Sequence, residues 1–252
     1  MHLKLIACKV LTREMGLLSA TSPHFIDITW IRRNLHDEPD KLRAVLQREI
    51  DKIEAGDDPY TCNEAAPLEA ILLGYGLCSN SIAGLRSAKY PLIAPRAHDC
   101  ITLFLGSKER YRREFERSCG KAYWYTSGWI ENSPMPGDDS RERKQLEEYT
   151  ELYGEENALY LIEAMGGWYK EYREADYVGM PGIERPEHRQ FAQDAARRLG
   201  WECVEHEGDM ELMRRFLWGE WDTRDFIRVE PGFTIQPSHD ERVLRSSRLA
   251  AE

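Results

Sequence analysis

An α/β protein with Rossmann-like parallel sheets flanked by helices, arranged as two lobes around a cleft, is the fold class the sequence predicts. Three observations predict it. Short apolar runs rich in β-branched residues recur along the chain, stretches with helical spacing separate them, and the same alternation returns in the second half. Strands parted by helices favour a parallel sheet covered on both faces, and a sandwich or helical bundle explains that order poorly.

Taken in order, residues 3–11 form a compact apolar run suited to a buried first strand, and residues 25–30 a second, with β-branched Ile26, Ile28 and Thr29. Pro39 and Asp40 open a helix to about Ile53, with Leu42, Val45, Leu46, Ile50 and Ile53 at helical spacing. Residues 70–74 are a continuous apolar strand, followed by a glycine-bearing turn and a short helix over 82–85. Another buried strand spans 90–94. Ser107 is placed to cap a charged helix running through Phe115, and 121–126 is aromatic and strand-like.

The Pro/Gly/Asp-rich stretch 134–140 is the best boundary. It divides the chain into an amino-terminal α/β lobe over 1–135 and a helical stretch with a second, smaller α/β lobe over 136–252. A polar helical region fills 141–172, with interruptions at Gly154 and Gly166-Gly167. Beyond it come a strand over 175–180, a helix over 188–199, a strand over 201–206, a helix over 210–217 and a last strand over 226–229. From Ser238 the chain reads as a polar, frayed tail.

Composition narrows the function. The 252 residues are 42% hydrophobic and 31% charged, as in ordinary globular proteins. A formal net charge of −10 opposes general nucleic-acid binding, which needs a basic face. No apolar run approaches the roughly 20 residues that cross a bilayer. The apolar amino terminus lacks a small-residue cleavage site and reads as a strand, so a cytoplasmic location without a membrane partner is expected. Six scattered cysteines then point to reduced thiols in place of a disulfide framework.

Three of those cysteines stand at predicted strand ends. Cys8 closes the first strand, Cys78 follows the strand 70–74, and Cys100 follows the strand ending near Ala94. Ligands of open parallel sheets bind at the carboxyl ends of strands. Three thiols gathered there suit zinc or an iron–sulfur cluster, and three ligands leave a position open. His98 completes a Cys₃His set, which favours a closed zinc site. The competing reading makes all three cysteines small buried hydrophobes. Cys62, Cys119 and Cys203 fit the structural reading better.

Other polar groups cluster nearby. Arg96 suits a carboxylate or phosphate. His98 and Asp99 suit acid–base work, with Asp99 alternatively a helix cap. In the turn after residue 74, Tyr75, Ser79 and Asn80 are candidate substrate contacts, although the turn matches neither the dinucleotide fingerprint nor the P-loop. Trp124 and Trp129 suit a pocket wall or a lobe interface. Residues 30–36 bring two arginines and a histidine, most simply as solvated surface.

As a set, Leu5-Ile6-Ala7-Cys8-Lys9-Val10-Leu11, Leu73-Gly74-Tyr75-Gly76-Leu77-Cys78, Pro95-Arg96-Ala97-His98-Asp99-Cys100 and Tyr123-Trp124-Tyr125 resemble a prokaryotic family known as domain of unknown function 1638. The resemblance extends to Val229-Glu230-Pro231-Gly232. It implies that the three cysteines belong to signature segments of the family. It also suggests an association with corrinoid-dependent methyl-transfer systems, for which the chain would be a binding or accessory module.

The leading expectation is a metal- or iron–sulfur-dependent enzyme, a lyase or hydrolase acting on a small anionic molecule. Cys8, Cys78 and Cys100 hold the metal, and Arg96, His98 and Asp99 serve the substrate. The alternatives are the non-catalytic accessory module and a single-cysteine thiol enzyme, for which Cys100 near a helix N-terminus is the best candidate.

Overall fold

Alternation along β1 (His2–Cys8) sends His2, Lys4, Ile6 and Cys8 to one face and Leu3, Leu5 and Ala7 to the other. Both faces are buried, which is why the run reads as continuously apolar. The computed structural model describes residues 1–32, 38–62, 66–133, 135–165, 169 and 171–249. Of the segment 30–36, residues 33–36 lie outside these, as do Gly166 and Gly167. The described chain forms two units, Met1–Tyr111 with Gly208–Glu252, and Arg112–Glu207. Met135 and the residues up to Ser140 fall inside the second unit.

The first unit is built on a five-stranded sheet. Its order is β2 (Phe25–Ile31), β1, β3 (Ala70–Gly74), β4 (Leu92–Pro95) and β8 (Phe226–Val229). β1, β2, β3 and β4 run parallel, and β8 pairs antiparallel with β4. Helix α2 (Pro39–Ala55) packs Leu42, Leu46, Ile50 and Ile53 against Ile6, Ile71, Leu73 and Leu92 on one face. Its Pro39 sits in the first turn and Gly56 ends it in the left-handed conformation. On the other face α1 (Thr12–Thr21) packs with α9 (Glu211–Leu217). There the Phe216 ring stacks on Phe226 at 5.9 Å.

The chain moves from β1 outward to β2, then crosses to the other side of β1 for β3. That reversal makes the carboxyl ends of β1 and β3 the switch point where open α/β sheets bind ligands.

Helix α4 (Lys108–Arg117) spans the division between units, and Ser107 Oγ accepts from the Arg110 amide at its start. The second unit has a parallel sheet in the order β5 (Ala122–Thr126), β6 (Glu174–Gly179), β7 (Glu202–Glu207). Helices α5 (Ser127–Asn132), α6 (Asp139–Tyr153), α7 (Glu155–Met165) and α8 (Pro186–Leu199) complete it. Ala192, Ala195 and Ala196 of α8 meet Tyr125, Ala175 and Tyr177 of the sheet.

Four local expectations are corrected. β1 stops at Cys8, and Lys9–Leu11 form a 3₁₀ turn that leads into α1, a helix the sequence reading passed over. Val10 and Leu11 are buried there, so their apolar character reported burial and not strand conformation. Residues 82–84 are turn and Leu85 is irregular, so no helix forms there. The stretch from Ser238 is also no frayed tail, since it carries β10 (Leu244–Arg248). β9 (Phe233–Pro237) and β10 pair antiparallel, with Ile235, Val243 and Leu244 buried.

Candidate functional site

The carboxyl ends of β1, β3 and β4 carry Cys8, Cys78 and Cys100. Cys8 is the last residue of β1, and Ala7 pairs in register with Gly74. Glycine is required at that position because a Cβ on Gly74 would stand 2.6 Å from Ala7 Cβ. The loop after β3 then runs against the loop after β4. The Leu77 amide donates to Ala97 O at 2.8 Å, and the Cys78 amide to His98 O at 2.9 Å. Gly76 permits this seam, since a Cβ there would lie 2.7 Å from the Asp99 nitrogen and 2.8 Å from its Cα.

Backbone strain concentrates in the same turn. Cys78, Ser79 and Asn80 have φ values of +44°, +55° and +66°, a left-handed run made without glycine. Such residues cost roughly 1–2 kcal/mol each and cluster at functional sites. Ser81 holds the turn shut, its amide and hydroxyl both donating to Cys78 O. Ser79 and Asn80 face solvent, and Asn80 O accepts from Arg43.

Cys78 packs half-buried against the apolar cluster of this unit. Its Sγ accepts from the Gly76 and Cys100 amides, although burial first, then Asp99 and Cys8, push its thiol far above the ordinary range. Cys100 begins α3 (Cys100–Leu105) and is buried. Asp99 caps that helix, its Oδ1 accepting from the Ile101 and Thr102 amides at 2.9 and 3.3 Å. The other oxygen accepts from the Tyr111 hydroxyl at 2.9 Å. Burial raises the Asp99 pKa above the ordinary carboxylate value against these bonds. His98 is exposed, with its ring 6.2 Å from that of Tyr111.

Tyr75 is 3% exposed, in the apolar cluster with Ile6, Leu73 and Ile82 against which Cys8 and Cys78 also pack. Among the described residues its hydroxyl has no hydrogen-bond partner. A buried polar group left so costs about 1–3 kcal/mol. Burial first, then Cys8, Cys78 and Cys100, oppose its ionisation, so all three sulfurs lie within electrostatic reach of one phenol. Among the described residues no group of three or more His, Cys, Asp or Glu side chains stands ready to hold a metal ion.

The structure brings Cys8, Tyr75, Cys78, His98, Asp99 and Cys100 into this one region and gives Arg96 other partners. Arg96 Nε donates to Thr223 O and Phe226 O, each at 3.0 Å, and Nη1 to Arg242 O and Leu244 O. The guanidinium fastens the carboxy-terminal strands to the end of β4. Trp124 and Trp129 belong to the second unit. Trp124 lies 5.2 Å from His206, and Trp129 packs half-buried against the core of that unit. His206 in turn meets the fully buried Asp176 at 2.7 Å, and Arg117 meets the same carboxylate at 2.8 Å. A pocket of about 310 Å³ opens at the ends of β6 and β7 of that unit, lined by Tyr177, Arg189, Glu205 and His206 among others. Sequence reading missed Tyr111, which lies beyond α3 from its partner Asp99.

None of the six cysteines is in a disulfide. No helix among the described residues is long and apolar enough to cross a membrane.

The fold defines an α/β protein with mostly parallel sheets flanked by helices. A family described as "Protein of unknown function (DUF1638)" matches residues 30–217, and the chain belongs to that family. The match includes Tyr75, Cys78 and Cys100, whereas Cys8 and residues 229–232 lie outside it. No curated protein and no solved structure matched the chain.

Proposed function

We propose that the protein is metal-dependent, holding an iron–sulfur cluster or zinc on Cys8, Cys78 and Cys100, and that it acts on a small anionic molecule there. The observation that carries the reading is the delivery of three cysteines by three parallel strand ends at the switch point. Thiolates are the ligands that zinc and iron–sulfur centres prefer. The two amides at Cys78 Sγ favour its thiolate but burial outweighs them, so metal binding there must displace the thiol proton. With three protein ligands, such a metal supplies a Lewis acid suited to hydrolysis or dehydration.

The chain's own groups divide the remaining work. His98, exposed on the loop after β4, exchanges protons with a ligand arriving from solvent. Asp99 positions that loop through the α3 cap and Tyr111. Ser79 and Asn80 present hydroxyl, amide and backbone groups at the mouth. Arg96 is left out of the chemistry because its guanidinium serves main-chain carbonyls.

Anaerobic purification followed by iron, zinc and sulfide analysis tests this. Near-stoichiometric metal is expected, falling several-fold in Cys78→Ser and in Cys100→Ser while circular dichroism stays that of the parent. Parent protein with under about 0.1 metal per chain after reconstitution overturns the proposal.

A further inference from the structure

The second unit carries a pocket of its own at the ends of β6 and β7. Alternation along β6 puts Ala175, Tyr177 and Gly179 on the face that α8 covers, where Tyr177 packs with Ala192, Ala195 and Ala196. Cys203 of β7 packs on the same core, so Glu205 and Glu207 follow it on that face. His206 turns its ring to the other face, toward Asp176. Arg189 shares the inward stripe of α8 with Ala192 and Ala196, one turn closer to the helix start. That offset carries its guanidinium to Gly179, the last residue of β6. A Cβ on Gly179 would stand 3.3 Å from Tyr177 Cε1 and 3.9 Å from Arg189 Nη2. The absent side chain keeps this corner of the pocket, about 310 Å³ in all, open between ring and guanidinium.

Glu184 completes the charged wall. Arg189 Nε meets Glu205 Oε2 at 3.4 Å, longer than the roughly 2.7–2.9 Å of a charge-assisted bond. The two side chains are 50% and 43% exposed, so both can turn to a ligand. Three carboxylates and one guanidinium thus face a cavity of metabolite size. A charged group that loses its water needs an opposite charge in exchange. An apolar guest would desolvate all four groups and pair none of them. A simple anion would meet three carboxylates, and a simple cation would meet the guanidinium. We infer that this pocket binds a small diamino acid, its carboxylate on Arg189 and its two ammonium groups on Glu184, Glu205 and Glu207. The site shares no residue with the three-cysteine proposal and is tested apart from it.

Calorimetric titration of the metal-free full chain with L-lysine at low ionic strength is the test. The parent should bind L-lysine saturably, and more tightly than cadaverine, the same diamine without a carboxylate. Arg189→Gln should weaken L-lysine about tenfold, the loss of one charge-assisted pair, and leave cadaverine bound at least as well as before. Glu205→Gln should weaken both. Each substitution falls on a half-exposed side chain, so circular dichroism should stay that of the parent, and should one variant fail to fold the other decides. No saturable L-lysine binding by the parent overturns the inference, as does L-lysine binding no tighter than cadaverine. An Arg189→Gln loss shared equally by cadaverine overturns it as well. Glutarate binding more tightly than L-lysine would do the same, by making the pocket an anion site.

Discussion

Asp58→Asn should destabilise the first unit by about 3–5 kcal/mol, the cost of leaving a buried charge without its partner. Lys4 lies in β1, an interior strand, with its side chain wholly buried, and its Nζ meets Asp58 Oδ2 at 2.5 Å and Tyr60 O at 3.1 Å. Thr61 donates to the same carboxylate oxygen. A lysine on a face shared with Ile6 is tolerated only because this carboxylate follows α2 closely enough to reach it. Thermal unfolding should register a fall on the order of 10 °C. Replacing both residues, as Lys4→Met with Asp58→Leu, should recover most of it.

The same pair sets an acid limit. Burial raises the Asp58 pKa, but the Lys4 and Thr61 hydrogen bonds outweigh it and the net shift is downward. A carboxyl lowered on folding contributes stability above its unfolded value, about 3.9, and loses it as pH falls through the folded value. Parent protein should therefore lose stability below about pH 4 more steeply than Asp58→Asn does.

Arg96→Met should cost about 2–4 kcal/mol, because four carbonyls lose a charged donor at once. Thr223 and Phe226 come from one stretch of the carboxy-terminal region and Arg242 and Leu244 from another, so one side chain ties both to β4. Arg96→Lys should fare little better, since an ammonium cannot reproduce the spread of the guanidinium. Denaturant unfolding measures the loss, and metal content per folded chain should stay that of the parent. A variant as stable as the parent but unable to bind an anion would return Arg96 to the substrate-binding function that its place after a strand suggested.

The sequence carried the places of the site better than its surroundings. β3 was legible to the residue because Ala70–Gly74 is apolar on both faces and bounded by Pro67 and Tyr75. α1 was not, because Gly16 interrupts it and the apolar run before it continued smoothly through the turn at Val10. β10 was lost because Leu244 alone of its five residues is buried. At the site, strand-end cysteines could be read from position. The left-handed backbone at Cys78, the amides on its sulfur and the unpartnered Tyr75 hydroxyl could not, since each depends on two loops meeting across the sheet edge. Arg96 misled for the same reason. Its partners lie more than a hundred residues further along the chain.

X-ray absorption at the metal edge of the anaerobically loaded chain reports directly on the three thiols. The expected first shell holds sulfur at about 2.3 Å, as thiolate ligation of zinc requires, and it thins in Cys78→Ser. A first shell of nitrogen and oxygen alone, near 2.0–2.1 Å, would place the metal elsewhere and remove the cysteines from its binding.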